Sequence, residues 1–319
     1  MTRGQITIVG MDRLGIALTL AIKSTLPNAL IVAADASGHR MRSAMRFGKV
    51  DRKDSNIVTA CCDASLIILN VPLTQLREAF EMIGPRLLEG AVVLTLVPVV
   101  GEATKWADEL LPKTAHIVCH LVLHPEDVEQ QEPRADLFDG SLLCLVTNAE
   151  TTERALKAGS DLARIIGARP YFMEAFEHDS LLAAVEGVPG LISTAVLLAA
   201  ARAAAWSDSS LLASAVFYQA TQPALHSSLE AGSALIANRD QVLARLDAFL
   251  ESMREVRQLV SDGDTEQLMQ LVALAVQRRD EWLAAKPRKP WSDEEVLAGS
   301  PRELPRFDPL LPGWGMKKQ

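Results

Sequence analysis

The chain has 319 residues, with hydrophobic residues at 49% and charged residues at 23%, which suits a soluble globular protein long enough for two cores. Its net charge of −8 argues against a nucleic-acid partner, because binding a phosphate backbone rests on Lys and Arg. Four cysteines, Cys61, Cys62, Cys119 and Cys144, form no C-x-x-C pair, so no metal site is expected and reduced thiols of a cytoplasmic protein are.

The N-terminus does not read as a signal peptide, since its apolar run is short. Short apolar runs at 6–9, 30–34, 66–71, 92–97, 116–123 and 142–146 predict strands. Amphipathic segments at 14–23, 73–88 and 101–111 lie between them. Continuous apolar strands with helical crossovers predict an α/β domain: a doubly wound, Rossmann-like parallel sheet covered on both faces. A helix is expected over 151–166 with Thr151 or Thr152 as its cap, and 168–173 is a last strand or a linker.

Beyond Phe172 the period becomes helical, giving an all-α second domain. Turn signals fall at 187–190, 207–210, 227–232 and 261–264. The apolar stretch 188–201 is shorter than the ~20 residues of a bilayer span and reads as a buried core helix, so no membrane partner is expected. Residues 238–259 carry a helical apolar stripe that reads as core packing. Domains are therefore expected at 1–170 and 171–285, with a proline-rich arm over 286–319 that docks on the body or on a partner subunit.

The first strand leads into Gly10-Met11-Asp12-Arg13-Leu14-Gly15 and an apolar helix. A dinucleotide turn has the form G-x-G-x-x-G, in which the middle glycine lets backbone approach the pyrophosphate. Here that place holds Asp12. Two unit charges ~4 Å apart repel by about 1 kcal/mol in water and ~4 kcal/mol at an effective dielectric of 20. NAD or NADP is thus the expected cofactor, bound more weakly than by a three-glycine turn unless Arg13 offsets Asp12 or Asp12 turns outward. Asp35 ends the second strand, where an acid bonds the ribose hydroxyls of NAD. Ser37, His39 and Arg40 follow and offer an alternative: contact with the 2′-phosphate of NADP.

In order along the chain, several segments resemble one family, the prephenate/arogenate dehydrogenases. Residues 63–72, ending Asn70-Val71-Pro72, resemble its strand beside the nicotinamide, and 90–97, with Thr95, its next strand. Leu123-His124-Pro125 resembles its catalytic His-Pro loop, and Leu137-Phe138-Asp139-Gly140 the segment before a sheet strand. Glu177-His178-Asp179 through Pro189 resembles the helix that opens its second domain, and the pattern continues through 215–221 and 237–239. The resemblance implies hydride transfer from a ring hydroxyl carbon to NAD(P) with loss of CO₂, on the way to tyrosine. It implies His124 as hydrogen-bond acceptor of that hydroxyl, His178 as a second active-site histidine, and a homodimer through the helical domain.

The chain also departs from the family pattern. An Asp and a Gly-Ser-x-Lys run are replaced by Thr95 and Val97-Pro98-Val99-Val100. His-Pro-Met-x-Gly becomes His124-Pro125-Glu126-Asp127, which puts carboxylates at the expected substrate entrance. An Asp followed by Thr-Arg becomes Gln219, then Thr221-Gln222, so the substrate-binding places hold neutral Gln219 and Gln222. Each change weakens recognition of a dicarboxylate. Two readings follow: an NAD(P)-dependent oxidoreductase with a divergent substrate, or a lapsed homologue acting as a binding or scaffold protein.

Overall fold

The computed structural model describes residues 4–111, 115–127, 132–223 and 229–285. Residues up to Ala175 make one compact unit and Phe176–Ala285 a second. The expected arm over 286–319 lies outside the described residues.

The first unit runs β1 (Gln5–Val9), α1 (Arg13–Thr25), β2 (Leu30–Ala34), α2 (Gly38–Phe47), β3 (Arg52–Asp54), α3 (Ile57–Cys61), β4 (Ala64–Leu69), α4 (Leu73–Ile83), β5 (Val92–Leu96), α5 (Val100–Leu110), β6 (Ala115–Val122), β7 (Leu142–Val146), α6 (Glu153–Ile166) and β8 (Arg169–Met173). The strands form one sheet in the order β3-β2-β1-β4-β5-β6-β7-β8. Every residue of β1 and β5 is buried, as expected for central strands covered on both faces. Thr152 caps α6, its hydroxyl accepting from the N–H of Ala155.

The sheet is mostly parallel, as expected, with one reversal. β7 pairs antiparallel with β6, and β8 runs parallel to β7. The apolar runs of β7 and β8 carry no signal of direction; the connection decides it. β6 ends and β7 begins at one edge of the sheet. This is also where β1, β2, β4 and β5 end. The topology therefore hangs the His124 loop over the ends of the parallel strands, where α/β sheets place their ligands.

Gly10 and Gly15 answer first to packing. Gly10 has φ +92°, and a Cβ there would lie 1.8 Å from the Asn70 carbonyl oxygen. A Cβ on Gly15 would lie 1.9 Å from the Gly10 carbonyl oxygen. Both glycines would be required by this turn even with no nucleotide.

The second unit is helical: α7 (Ala175–Leu182), α8 (Val188–Ala201), α9 (Trp206–Leu211), α10 (Ala215–Thr221), α11 (Leu229–Ala237), α12 (Arg239–Asp262) and α13 (Thr265–Ala284). The turn expected at 187–190 is absent. A π-helical turn, Ala183–Gly187, joins α7 to α8, with the Val188 N–H reaching the Ala183 carbonyl. Pro189 lies in the first turn of α8, where its missing N–H is not needed. A single rod from Ala175 to Ala201 results, 27 residues long and, by length and composition alone, apolar enough to cross a membrane. The serines at 207–210 lie within α9, and residues 229–232 open α11, so neither is a turn; 224–228 lie outside the described residues. The break near 263 is present: Gly263 adopts a left-handed conformation and Asp264 caps α13.

Burial in this unit departs from expectation. On α8 only Val188 and Ser193 are buried, and on α12 only Val242. Val196 and Leu198 on α8, and Leu250 and Met253 on α12, are exposed. The periodic apolar faces were read correctly as helix stripes, but one chain does not bury them.

Candidate active site

The first turn of the nucleotide-type unit is held by side-chain bonds. Asp12 caps α1: its Oδ1 accepts from the Gly15 N–H at 2.9 Å and from Asn70 Nδ2 at 2.8 Å. Asn70 also donates to the Gly10 carbonyl at 3.3 Å and is itself placed by its N–H on Val9. The chain's own carboxylate thus occupies the helix terminus that a phosphate favours, and it is solvent-exposed. It has not turned away from the turn. The N–H of Leu14, in the same first turn, makes no hydrogen bond with the described residues.

Asp35 is fixed at the end of β2 and is largely buried. Its Oδ2 accepts from the Met11 N–H at 2.8 Å and its Oδ1 from the Ser37 N–H at 2.7 Å. Arg40 Nη1 stands 3.7 Å from Oδ2 on a half-exposed side chain. Ser37 caps α2, its hydroxyl accepting from the Arg40 N–H. Asp35, Ser37 and Arg40 are therefore one local group joined to the glycine turn through Met11. Pro72 precedes α4, two residues after Asn70. Thr95 is buried within β5, opposite Leu69 of β4. Pro98 is half-buried just before α5 and Val100 is buried at its start, so apolar side chains stand where the family pattern has serine and lysine.

His124 follows β6 and is 7% exposed. Pro125 confines it to extended backbone and begins a single 3-10 turn, Pro125–Asp127. The expectation that Asp127 places a carboxylate at a substrate entrance is corrected. Its side chain is fully buried and ion-paired with Nη2 of Arg134, whose Nε lies 2.9 Å from Asp136 Oδ1. Arg13 Nη1 donates to the Asp127 carbonyl oxygen at 2.9 Å. Burial pulls the Arg13 guanidinium below its ordinary range, Asp12 and Asp127 pull it back up, and Arg134 lowers it. Within this unit the structure brings together Gly10–Leu14, Asn70 and the His124 turn. Sequence reading missed the Asp127–Arg134–Asp136 network, because these partners are joined across a loop with no periodic signal.

In the second unit His178 is buried on α7, its Nδ1 lying 3.0 Å from Asp179 Oδ1. A carboxylate only accepts, so Nδ1 carries the proton of this bond. Asn238 Nδ2 donates to the Asp179 carbonyl at 2.7 Å, and Arg245 donates to the Ser180 carbonyl and hydroxyl. These bonds tie α7 to α12. Gln219 is exposed on α10 and Gln222 follows its end, half-buried.

Three of the four cysteines are shielded by burial. Cys61, Cys119 and Cys144 are buried, and burial pushes the Cys61 thiol up to about 12 and the Cys144 thiol up to about 11. Among the described residues no cluster of His, Cys, Asp or Glu suits a metal ion.

The family model of the prephenate dehydrogenase nucleotide-binding domain matches residues 18–172, and that of the prephenate dehydrogenase dimerization domain matches residues 174–274. The chain belongs to the prephenate/arogenate dehydrogenase family. The first match begins inside α1, so the turn with Asp12 lies before it. A prephenate dehydrogenase of Bacillus subtilis is 21% identical over 289 residues, covering 86% of this chain and 75% of that protein. A cyclohexadienyl dehydrogenase of Zymomonas mobilis is 22% identical over 267 residues, covering 83% and 91%. The fold is similar to that of the A. aeolicus prephenate dehydrogenase solved with hydroxyphenyl propionate and NAD+, with a TM-score of 0.79 at 17% identity, covering 88% of this chain and 99% of that one. Synechocystis arogenate dehydrogenase gives a TM-score of 0.72 at 18% identity, covering 87% and 99%.

The residues present fit NAD at the ribose and in part at the pyrophosphate. Asp35 is pre-positioned by two backbone N–H groups, and the Leu14 N–H remains for a phosphate oxygen. The misfit is Asp12, which holds the Gly15 N–H.

Proposed function

We propose that the protein is an NAD-dependent dehydrogenase of this family that oxidises a substrate less anionic than a dicarboxylate. One observation carries the reading. Asp35 is locked between the Met11 and Ser37 N–H groups at the end of β2, while His124 stands at the same edge of the sheet, at the end of β6. When bound, NAD supplies the hydride acceptor. Asp35 would hold its ribose hydroxyls, the Leu14 N–H a phosphate oxygen, and Asn70, Pro72 and Thr95 would flank its nicotinamide end. His124 would accept the hydroxyl proton as hydride leaves the same carbon; in the second unit His178, bonded to Asp179, is the candidate for a further active-site histidine. The neutral Gln219 and Gln222, with Pro98 and Val100, support a substrate that brings little charge.

Asp35 also supports NAD over NADP, since a 2′-phosphate would approach a fixed carboxylate. Arg40 softens that repulsion without removing it, being half-exposed and 3.7 Å away. Titration by nucleotide fluorescence is expected to show NADH binding at least tenfold tighter than NADPH. Addition of prephenate and arogenate to the NAD-loaded protein then asks for turnover, with arogenate, the less anionic, expected to be preferred. Absence of binding by either nucleotide would overturn the reading in favour of a lapsed homologue.

We also infer a homodimer through the second unit. The match to a dimerization domain at 174–274 supports it, as do the exposed Phe176, Val185, Leu211, Leu212, Val216 and Ile236. Apolar area on this scale more often marks an interface than solvent-facing surface. Covering these faces gives α7–α8 a neighbour other than lipid. Light scattering at micromolar concentration is expected to give twice the 34.6 kDa chain mass, and a monomer would refute the inference. Four unpaired cysteines suit a reducing compartment such as the cytoplasm.

A further inference from the structure

The turn that carries His124 is held from both sides, and one of those holds comes from the nucleotide-site helix. The Asp127 N–H donates to the His124 carbonyl at 2.9 Å, closing the turn. The Asp127 carboxylate is fully buried against Arg134, and Asp136 in turn steadies Arg134. From the other side, Arg13 donates to the Asp127 carbonyl. Arg13 is the first residue of α1 and follows Asp12, the residue that caps that helix. His124 is thus linked to the N-terminus of α1 through Asp127.

We propose that Asp127 is a positioning residue for His124, and that the Arg13–Asp127–Arg134 clamp transmits occupancy of the α1 terminus to the His124 turn. Three features separate this arrangement from a surface ion pair. The carboxylate is shielded from solvent, so removal of its charge leaves Arg134 without its buried counter-ion. The Arg13 bond goes to backbone, so it fixes the path of the turn rather than a side-chain rotamer. The same Arg13 lies where an incoming pyrophosphate brings negative charge, which competes for its guanidinium and shifts its hold on the turn. Coupling of this kind is reciprocal: whatever nucleotide does to the turn, the turn does to nucleotide affinity.

The first half of the proposal rests on geometry alone; the transmission half rests on the nucleotide reading above. The test keeps them apart. The full-length protein is compared with its Asp127→Asn, Arg134→Gln and Arg134→Lys variants, by hydrogen exchange of peptides within 115–127 and by the ring NMR signal of His124. Six histidines make that signal assignable with a His124→Asn reference. Without nucleotide, Asp127→Asn and Arg134→Gln are expected to speed exchange after β6 at least tenfold and to move the His124 signal. Exchange in β1, β4 and β5 should stay unchanged. Arg134→Lys, which keeps the charge, should restore most of both effects. In the parent protein, saturating NADH should move the His124 signal, and in Asp127→Asn it should not.

An unchanged His124 signal in Asp127→Asn would sink the positioning role. So would faster exchange throughout the sheet, since that marks a residue of general stability. NADH that binds yet leaves the His124 signal in place would sink the transmission. NADH that fails to bind defeats the nucleotide reading and the transmission with it, while the measurements without nucleotide still decide the positioning role.

Discussion

Turnover by the His124→Asn variant is expected to fall by about two to four orders of magnitude, the usual contribution of a positioned acid–base group. NADH affinity should stay within about twofold. Both halves follow from position. His124 leaves β6 at the ligand edge of the sheet, and Pro125 fixes its backbone, so Asn keeps the chain path and a hydrogen-bonding side chain. What Asn lacks is a group that takes up a proton near neutrality. The proposed nucleotide contacts lie elsewhere, at Leu14 and Asp35, and the change leaves those residues as they are. Steady-state rates with the best substrate and a separate NADH titration check the two halves independently. Turnover within fivefold of the parent would remove His124 from the chemistry. Loss of NADH binding would instead mean that the substitution had damaged the turn, which circular dichroism and the melting temperature would also report.

The sheet was legible in the sequence wherever strands are buried on both faces. β1, β4 and β5 read as mostly apolar, β-rich runs, as suits central strands. β3 was not legible: it is Arg52-Lys53-Asp54, an edge strand held by backbone pairing to β2, with nothing apolar to betray it. The reversal at β7 was equally hidden, because strand direction lies in the connection rather than in the strand. Pro189 misled for a different reason. Proline with flanking glycines signals a turn in most contexts, yet a proline in the first turn of a helix loses no hydrogen bond, and a preceding π-turn lets the chain continue.

The site was legible one residue at a time and not as partnerships. Asp35 and Asp12 could be picked out from their spacing to Gly10. That Met11 and Ser37 would hold Asp35, or that Asn70 would reach across from the end of β4 to Asp12, depended on strand order. Asp127 was misjudged because a carboxylate beside a histidine looks like an obstacle until its arginine is seen. Helix stripes in the second unit were readable as period, but a period does not say whether the cover comes from the same chain. The exposed Val196, Leu198, Leu250 and Met253 on those stripes raise that question, as do Leu211, Leu212 and Val216, and the match to a dimerization domain gives it an answer to test.

The Asp12→Gly variant is expected to bind NADH about 5- to 30-fold more tightly. Asp12 sits on the helix terminus and takes the Gly15 N–H that would otherwise meet a phosphate oxygen. Each phosphate charge brought near an exposed carboxylate costs about 1 kcal/mol at ~4 Å in water, and tenfold in affinity corresponds to about 1.4 kcal/mol. Two charges, with partial exclusion of water by the ligand, give about 1–2 kcal/mol. Against this stands a small loss of stability, because glycine is a weaker cap than aspartate by only a few tenths of a kcal/mol. Asn70 also loses an acceptor, but it keeps its bond to the Gly10 carbonyl. The gain should therefore outweigh the loss. Asp12→Asn divides the effect into its causes: it keeps the cap and the bulk and removes only the charge. If repulsion dominates, Asp12→Asn should recover most of the gain, and the advantage of both variants should shrink as salt is raised, since the carboxylate is exposed. If bulk dominates, only the glycine variant should improve and salt should matter little. Equal affinity in all three proteins would mean that the dinucleotide, if it binds, never approaches the first turn of α1, and the site drawn here would have to move.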